Sequence, residues 1–174
     1  MRINFYGLKA IYFHEMDRFR RTLGQSLLSP VISTSLYFIV FGSVIGGYVQ
    51  KIDGISYGSY IVPGLLMLTL LTQSISNTSF GIFFPKFNGT IYEILAAPIS
   101  TFEIVLAFVS AGATKTLIVG FVIFCRSLFF VDVEVQFPLL MIFLLVLVSF
   151  TFALFGFLIG LISKDFEQMS IVPS

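Results

Sequence analysis

Charge is scarce in these 174 residues: Asp, Glu, Lys and Arg together supply 11% of the chain, against about a quarter in a soluble domain. Hydrophobic residues supply 57% and aromatic residues 17%. A soluble fold of this size could not hide so much apolar surface, whereas a bilayer solvates it. The formal net charge is +1, and no basic run is interleaved with aromatics, so nothing points to nucleic acid. The single cysteine, Cys125, excludes a disulfide framework or a thiolate metal site built from this chain alone. Its apolar setting reads as a small buried hydrophobe, while the adjacent Arg126 is the kind of neighbour a reactive thiol needs.

Histidine is equally scarce. His14-Glu15 contains the only one, and a zinc-hydrolase motif needs a second ligand histidine one helical turn away, so the pair reads as a solvated helix face. No Gly-rich loop ending in Gly-Lys-Ser/Thr occurs, and if ATP drives this protein, another chain must bind it. Asp132 and Glu134 are close in sequence but read as a solvated loop. The amino-terminal region lacks an apolar core followed by a small-residue cleavage site, which argues against a removable signal peptide.

What is present is a series of long apolar blocks. Residues 1–23 hold Arg2, Lys9, Arg18, Arg20 and Arg21, while Phe5, Leu8, Tyr12, Met16, Phe19 and Leu23 recur at helical steps. This predicts an amphipathic helix lying in the plane of the membrane surface. Spanning helices follow at about 27–49, opening near Pro30; at about 60–84, opening near Pro63 and stopping at Pro85-Lys86; at about 102–130; and at about 137–162. Between the second and third, 86–100 is a polar stretch with Asn88-Gly89, a helix-compatible run from Thr90 to Ala97, and Pro98: a short interfacial helix. Met169 to Pro173 reads as the start of a further apolar block, so the sequence is expected to be a fragment.

Lys and Arg concentrate before the first span, in 86–100 and at Lys164, which puts the amino terminus on the cytoplasmic side by the excess of cations in short inner loops. Thr69, Thr72, Gln73, Ser76, Asn77 and Ser79 fall largely on one face of the second span. That face should meet protein or water, either in hydrogen bonds between helices or along a substrate path. Gly42-x-x-x-Gly46 and Gly156-x-x-x-Gly160 allow close helix approach, within the chain or between copies. Lys115, deep in the third block, must point inward, snorkel or pair; a functional role, a structural ion pair and a cavity-facing position are all open. Arg126, nearer the outer end, snorkels.

Taken in order, Phe19-Arg-Arg21, Leu28-Ser-Pro30, Tyr60-Ile-Val-Pro-Gly64 and, most specifically, Gly89-Thr-Ile-Tyr-Glu-Ile-Leu-Ala-Ala-Pro-Ile-Ser100 resemble the type-2 ATP-binding-cassette (ABC) permeases of bacteria, the membrane half of exporters for drugs, lipids and polysaccharides. The resemblance covers the whole chain, read as a single permease domain over 1–174. It implies six spanning helices, of which four are visible here, and a dimer with a second permease copy. It also implies a cytoplasmic ABC ATPase subunit that holds ATP and magnesium, and a place in the bacterial inner membrane. It further implies that Gly89, Thr90, Ile91, Tyr92 and Glu93 belong to a coupling helix docking into the ATPase, and that residues 4–22 match a connecting helix that also touches it.

The expectation is therefore an all-α polytopic transmembrane bundle that performs no covalent chemistry and binds no cofactor itself. Its substrate would be hydrophobic or amphipathic, moving along a path at Thr69, Gln73, Ser76 and Asn77. A membrane-embedded lipid enzyme would need a cluster of His, Asp or Glu at an interface. The alternative, a self-contained channel or ion-coupled carrier, would need buried carboxylates or a broken helix in each half.

Overall fold

The computed structural model describes residues 4–40, 51–52, 55–130 and 136–171. These form α1 (Phe5–Arg21), α2 (Leu23–Ile39), a two-residue antiparallel pair β1 (Lys51–Ile52) and β2 (Ile55–Ser56), α3 (Tyr57–Asn88), α4 (Ile91–Ala96), α5 (Thr101–Phe130), α6 (Pro138–Ile162) and α7 (Phe166–Ile171). The fold class is all-α. Among the described residues, three helical stretches are long and apolar enough to cross a membrane: Ser59–Asn88, Thr101–Phe129 and Pro138–Ile162. They coincide with the second, third and fourth expected spans. The first is described only through α2, whose 17 residues fall short of the roughly 20 a crossing needs. The Gly42/Gly46 motif, Asp53, Gly54, Asp132, Glu134 and Pro173 lie outside the described residues.

Proline was a poor guide to helix ends. Pro30 lies inside α2, which begins at Leu23, and Pro63 and Pro85 lie inside α3, which runs on to Asn88. Proline removes one backbone hydrogen bond, but in apolar surroundings abandoning the rest of the helix would strand more polar groups than it saves. The Thr34 hydroxyl adds a bond here, donating to the carbonyl of Pro30 at 2.7 Å. What stops α3 is Gly89, at φ 79°, a left-handed conformation that residues with a Cβ rarely adopt. Pro138, by contrast, sits in the first turn of α6, where its missing N–H is no loss.

Small residues set the helix packing. α3 and α6 run in the same direction: Gly156 of α6 meets the backbone of Ile75, Gly160 meets that of Ser79, and Ser74 Oγ donates to the carbonyl of Ser149 at 2.6 Å. A Cβ on Gly156 would lie 2.5 Å from the Ile75 carbonyl oxygen, so the motif serves contact within this chain. α5 runs opposite to α3, with Gly112 against Thr78 and Gly120 against Leu70. α6 turns Leu139, Phe143, Leu147, Leu154 and Leu158 outward, as a lipid-facing helix should. Lys86 Nζ closes its carboxyl end, donating to the carbonyls of Leu161 at 2.6 Å and Ser163 at 2.8 Å, where a cation also favours the helix dipole.

α1 differs from the expected helix in the membrane plane. It runs alongside α5 in the same direction, joined at Asn4 to Glu103, Tyr12 to Thr114 and Glu15 to Lys115. A helix lying flat would cross a spanning helix steeply and meet it once. The inward face is Ile11, Glu15 and Phe19, flanked by Leu8 and Met16, whereas Phe5, expected on the apolar stripe, is exposed.

Two apolar clusters fill the interior. One, at the α4 end, joins Ile11, Ile82, Ile104, Phe108, Ala153 and Phe157; the other joins Phe19, Phe38, Val62, Leu66, Val119 and Ile123. Between them in helix register lies a polar layer: Glu15 on α1, Ser74, Thr78 and Ser79 on α3, Lys115 and Thr116 on α5, and Ser149 on α6, all buried.

Candidate functional site

Two features of this bundle have functional character, the short helix α4 and the polar layer with the cavity beside it. The first is built by the turn at Gly89. Tyr92 N–H donates to the Gly89 carbonyl at 3.2 Å and Glu93 N–H to the Thr90 carbonyl at 3.1 Å, winding the chain straight from the end of α3 into α4. Ala97 is extended, as the following Pro98 requires, and ends the helix after six residues. Ile91 and Ile94 pack onto the apolar cluster at this end, so α4 is moored by one face. The other presents Tyr92, 74% exposed, with Glu93 and Leu95.

The linker after α4 is fixed to α1. Ser100 and Glu103 form a capping box at the start of α5: Ser100 N–H donates to Glu103 Oε2 at 2.8 Å, and Glu103 N–H donates to Ser100 Oγ at 3.4 Å. Glu103 Oε1 also accepts the N–H of Asn4 at 2.6 Å, and the Asn4 side chain donates to the Pro98 carbonyl at 3.2 Å. Asn4 Oδ1 caps α1 through Gly7 N–H at 3.2 Å. Gly7 packs closely on its neighbour: a Cβ there would lie 2.6 Å from Ile99 Cδ1, so the isoleucine side chain would have to shift. The start of α1, the exit of α4 and the start of α5 thus share one hydrogen-bonded joint.

In the polar layer, Glu15 Oε2 accepts from Lys115 Nζ at 2.7 Å and from Arg18 Nη2 at 2.8 Å. Lys115 and Glu15 are each 3% exposed at the side chain. Of the open readings of Lys115, the ion pair is found, and it also lines a cavity. Glu15 corrects the expectation of a solvated face: His14 is exposed, but Glu15 stands one turn from both Ile11 and Phe19, in the middle of the buried stripe. That spacing was a readable signal.

Beside the pair, α1, α2, α3 and α5, with Met169 of α7, line an open-sided cavity of about 460 Å³. Of the four residues expected along a path, Ser76 and Asn77 line it together with Lys115 and Arg18. Gln73 accepts a bond from Asn77 Nδ2 at 3.4 Å without lining the cavity, and the Thr69 hydroxyl turns back to the Leu65 carbonyl at 2.7 Å. Gln25 and Ser26 of α2 also line it, a contribution with no signal in the hydropathy pattern. Thr78 Oγ1 and Ser149 Oγ are buried with no hydrogen-bond partner among the described residues. Also among the described residues, no group of three or more His, Cys, Asp or Glu side chains could hold a metal ion.

A bundle of long apolar helices with an apolar exterior and a polar interior layer defines a polytopic membrane protein. Its family is shown by comparison: residues 6–174 match the family described as ABC-2 type transporter, and the chain belongs to it. It is 38% identical over all 174 residues to the inner membrane transport permease YadH of Escherichia coli strain K12, covering 68% of that protein, and to the same degree to its counterparts in Escherichia coli O157:H7 and Shigella flexneri. No solved structure matches the chain.

Proposed function

We propose that this chain is the membrane-spanning part of an ATP-driven exporter in the bacterial inner membrane, moving a hydrophobic or amphipathic substrate. ATP and magnesium belong to a separate cytoplasmic ATPase subunit, and a second permease copy completes the translocation path. The observation that carries this reading is α4. A short helix that buries Ile91 and Ile94 yet leaves Tyr92, Glu93 and Leu95 outside is shaped to dock into a partner. Because α4 is continuous with α3 through Gly89 and joined to α1 and α5 through Asn4 and Glu103, a push on α4 tilts those helices as a body. The names of the relatives support transport, and membership of the family supports the ATPase partner. The α4 end would then be cytoplasmic, in keeping with the cations at Lys86, Lys164 and, near the start of α1, Lys9.

The test is co-purification with ATPase subunits encoded nearby, comparing the native protein with Tyr92→Ala plus Glu93→Arg. Capture by the native protein and its loss in the variant is the expected result. Failure of the folded native protein to retain any ATPase would instead favour a self-contained channel or ion-coupled carrier.

A further inference from the structure

The cavity beside the Glu15–Lys115 pair has an unbalanced charge. Two cations, Arg18 and Lys115, line it, and among the described residues its lining includes no acidic side chain. The carboxylate paired with them, Glu15, uses one oxygen, Oε2, to accept from both. Two positive charges against one negative leave the described cluster at +1, with Glu15 and Lys115 buried and Arg18 partly exposed, an arrangement that favours an anion. Arg18 is also incompletely used: a guanidinium has five N–H donors in a fixed fork, and Nη2 is the atom bonded to Glu15. Its guanidinium carbon lies 5.5 Å from the centre of the Phe80 ring, which holds the fork at the cavity wall.

Neutral hydrogen-bonding groups surround the excess charge, from Ser76 and Asn77 on one side and Gln25 on the other, while Phe80 is an apolar part of the lining. About 460 Å³ is ample for a headgroup and falls within the range of about 300–1,000 Å³ usual for ligand pockets.

We infer that this cavity binds the phosphate of an anionic amphiphile, with Arg18 as the principal ligand, Lys115 as the second cation and Glu15 as the residue that orients both. This deepens the exporter reading and rests on it, because it names the headgroup chemistry of the substrate. An anion there brings the cluster to neutrality, and the fork geometry of Arg18 matches two phosphate oxygens.

The test uses the full chain in phosphatidylcholine nanodiscs, with spin-labelled phosphatidic acid as the probe and spin-labelled phosphatidylcholine as its neutral reference. The native protein should hold the phosphatidic acid preferentially. Arg18→Gln leaves Glu15 and Lys115 balanced, so it should fold, and it should weaken the preference about tenfold, the scale of one charge-assisted hydrogen bond. Arg18→Lys should restore part of the loss, and Arg21→Gln, an exposed cation outside the cavity, should change nothing.

Equal retention of the two lipids, or an Arg18→Gln protein indistinguishable from native, overturns the proposal. Displacement of phosphatidic acid by equimolar inorganic phosphate also overturns it, since the ligand would then be a free anion. Binding is read without any ATPase, so the Tyr92 and Glu93 substitutions should leave it intact. Lost ATPase capture and lost lipid preference are therefore separate failures.

Discussion

Lys115 Nζ lies 2.7 Å from Glu15 Oε2, an ion pair between helices a hundred residues apart, and Arg18 shares the same carboxylate oxygen at 2.8 Å. The sharing makes the two halves of the pair unequal. Removing Lys115 leaves Glu15 still paired with Arg18, whereas removing Glu15 leaves two cations facing each other. Breaking a buried pair typically costs about 3–5 kcal/mol. Glu15→Gln should therefore fall near or above that range and Lys115→Met below it. Glu15→Gln combined with Lys115→Met should recover much of the loss. Unfolding midpoints in detergent, compared around this cycle, check the order; a Lys115→Met protein less stable than Glu15→Gln would contradict it.

That pair also marks where sequence reasoning stopped. Long apolar blocks revealed the helices now seen as α3, α5 and α6, and the Asn88-Gly89 turn and Pro98 bracketed α4 almost to the residue, because backbone geometry at those positions depends on local chemistry. The helix start near Pro30 and the stop at Pro85 were misjudged, since proline rules drawn from water overstate the penalty where no water can replace the helix bonds. Glu15 was misjudged for a related reason: charge was equated with exposure, although its spacing from Ile11 and Phe19 placed it inside. Gln25 and Ser26 were out of reach, because only the parallel course of α1 and α2 beside α5 brings them to Ser76 and Asn77.

The glycines of α6 make a sharp prediction. Gly156 and Gly160 rest on the backbone of α3, which cannot rotate away as a side chain could. Gly156→Leu should force the two helices apart and sharply reduce the monodisperse fraction on size exclusion. Gly24→Leu, at an exposed position where a Cβ meets nothing within 4 Å, should leave it near native. Equal behaviour of the two would show that α3 and α6 are not packed this closely.

The joint at Asn4 predicts a local effect. Glu103→Ala removes the capping-box acceptor and the partner of Asn4 N–H together. It should destabilise the protein, by analogy with lost caps, and raise amide exchange at the start of both α1 and α5. Glu103→Gln keeps one of the two acceptor oxygens and should lose less. If exchange rises in α5 alone, α1 is held by its apolar contacts and not by this joint.

Ser74 and Ser149 face each other across α3 and α6 with opposite hydrogen-bond status, so their alanine variants should differ in sign. The Ser74 hydroxyl donates to the Ser149 carbonyl at 2.6 Å, and its loss leaves a buried carbonyl without that donor. Membrane contacts of this kind average about 0.6 kcal/mol, so a modest destabilisation of that order is expected for Ser74→Ala. The Ser149 hydroxyl is buried with no partner among the described residues, and desolvating it without a bond is unfavourable. Ser149→Ala removes that hydroxyl while retaining the carbonyl that Ser74 uses, so it should be neutral or slightly stabilising. Thermal midpoints of the two variants in one detergent settle the sign, and a clear loss in Ser149→Ala would mean that its hydroxyl has a partner in the assembled protein, such as a bound water or a second permease copy.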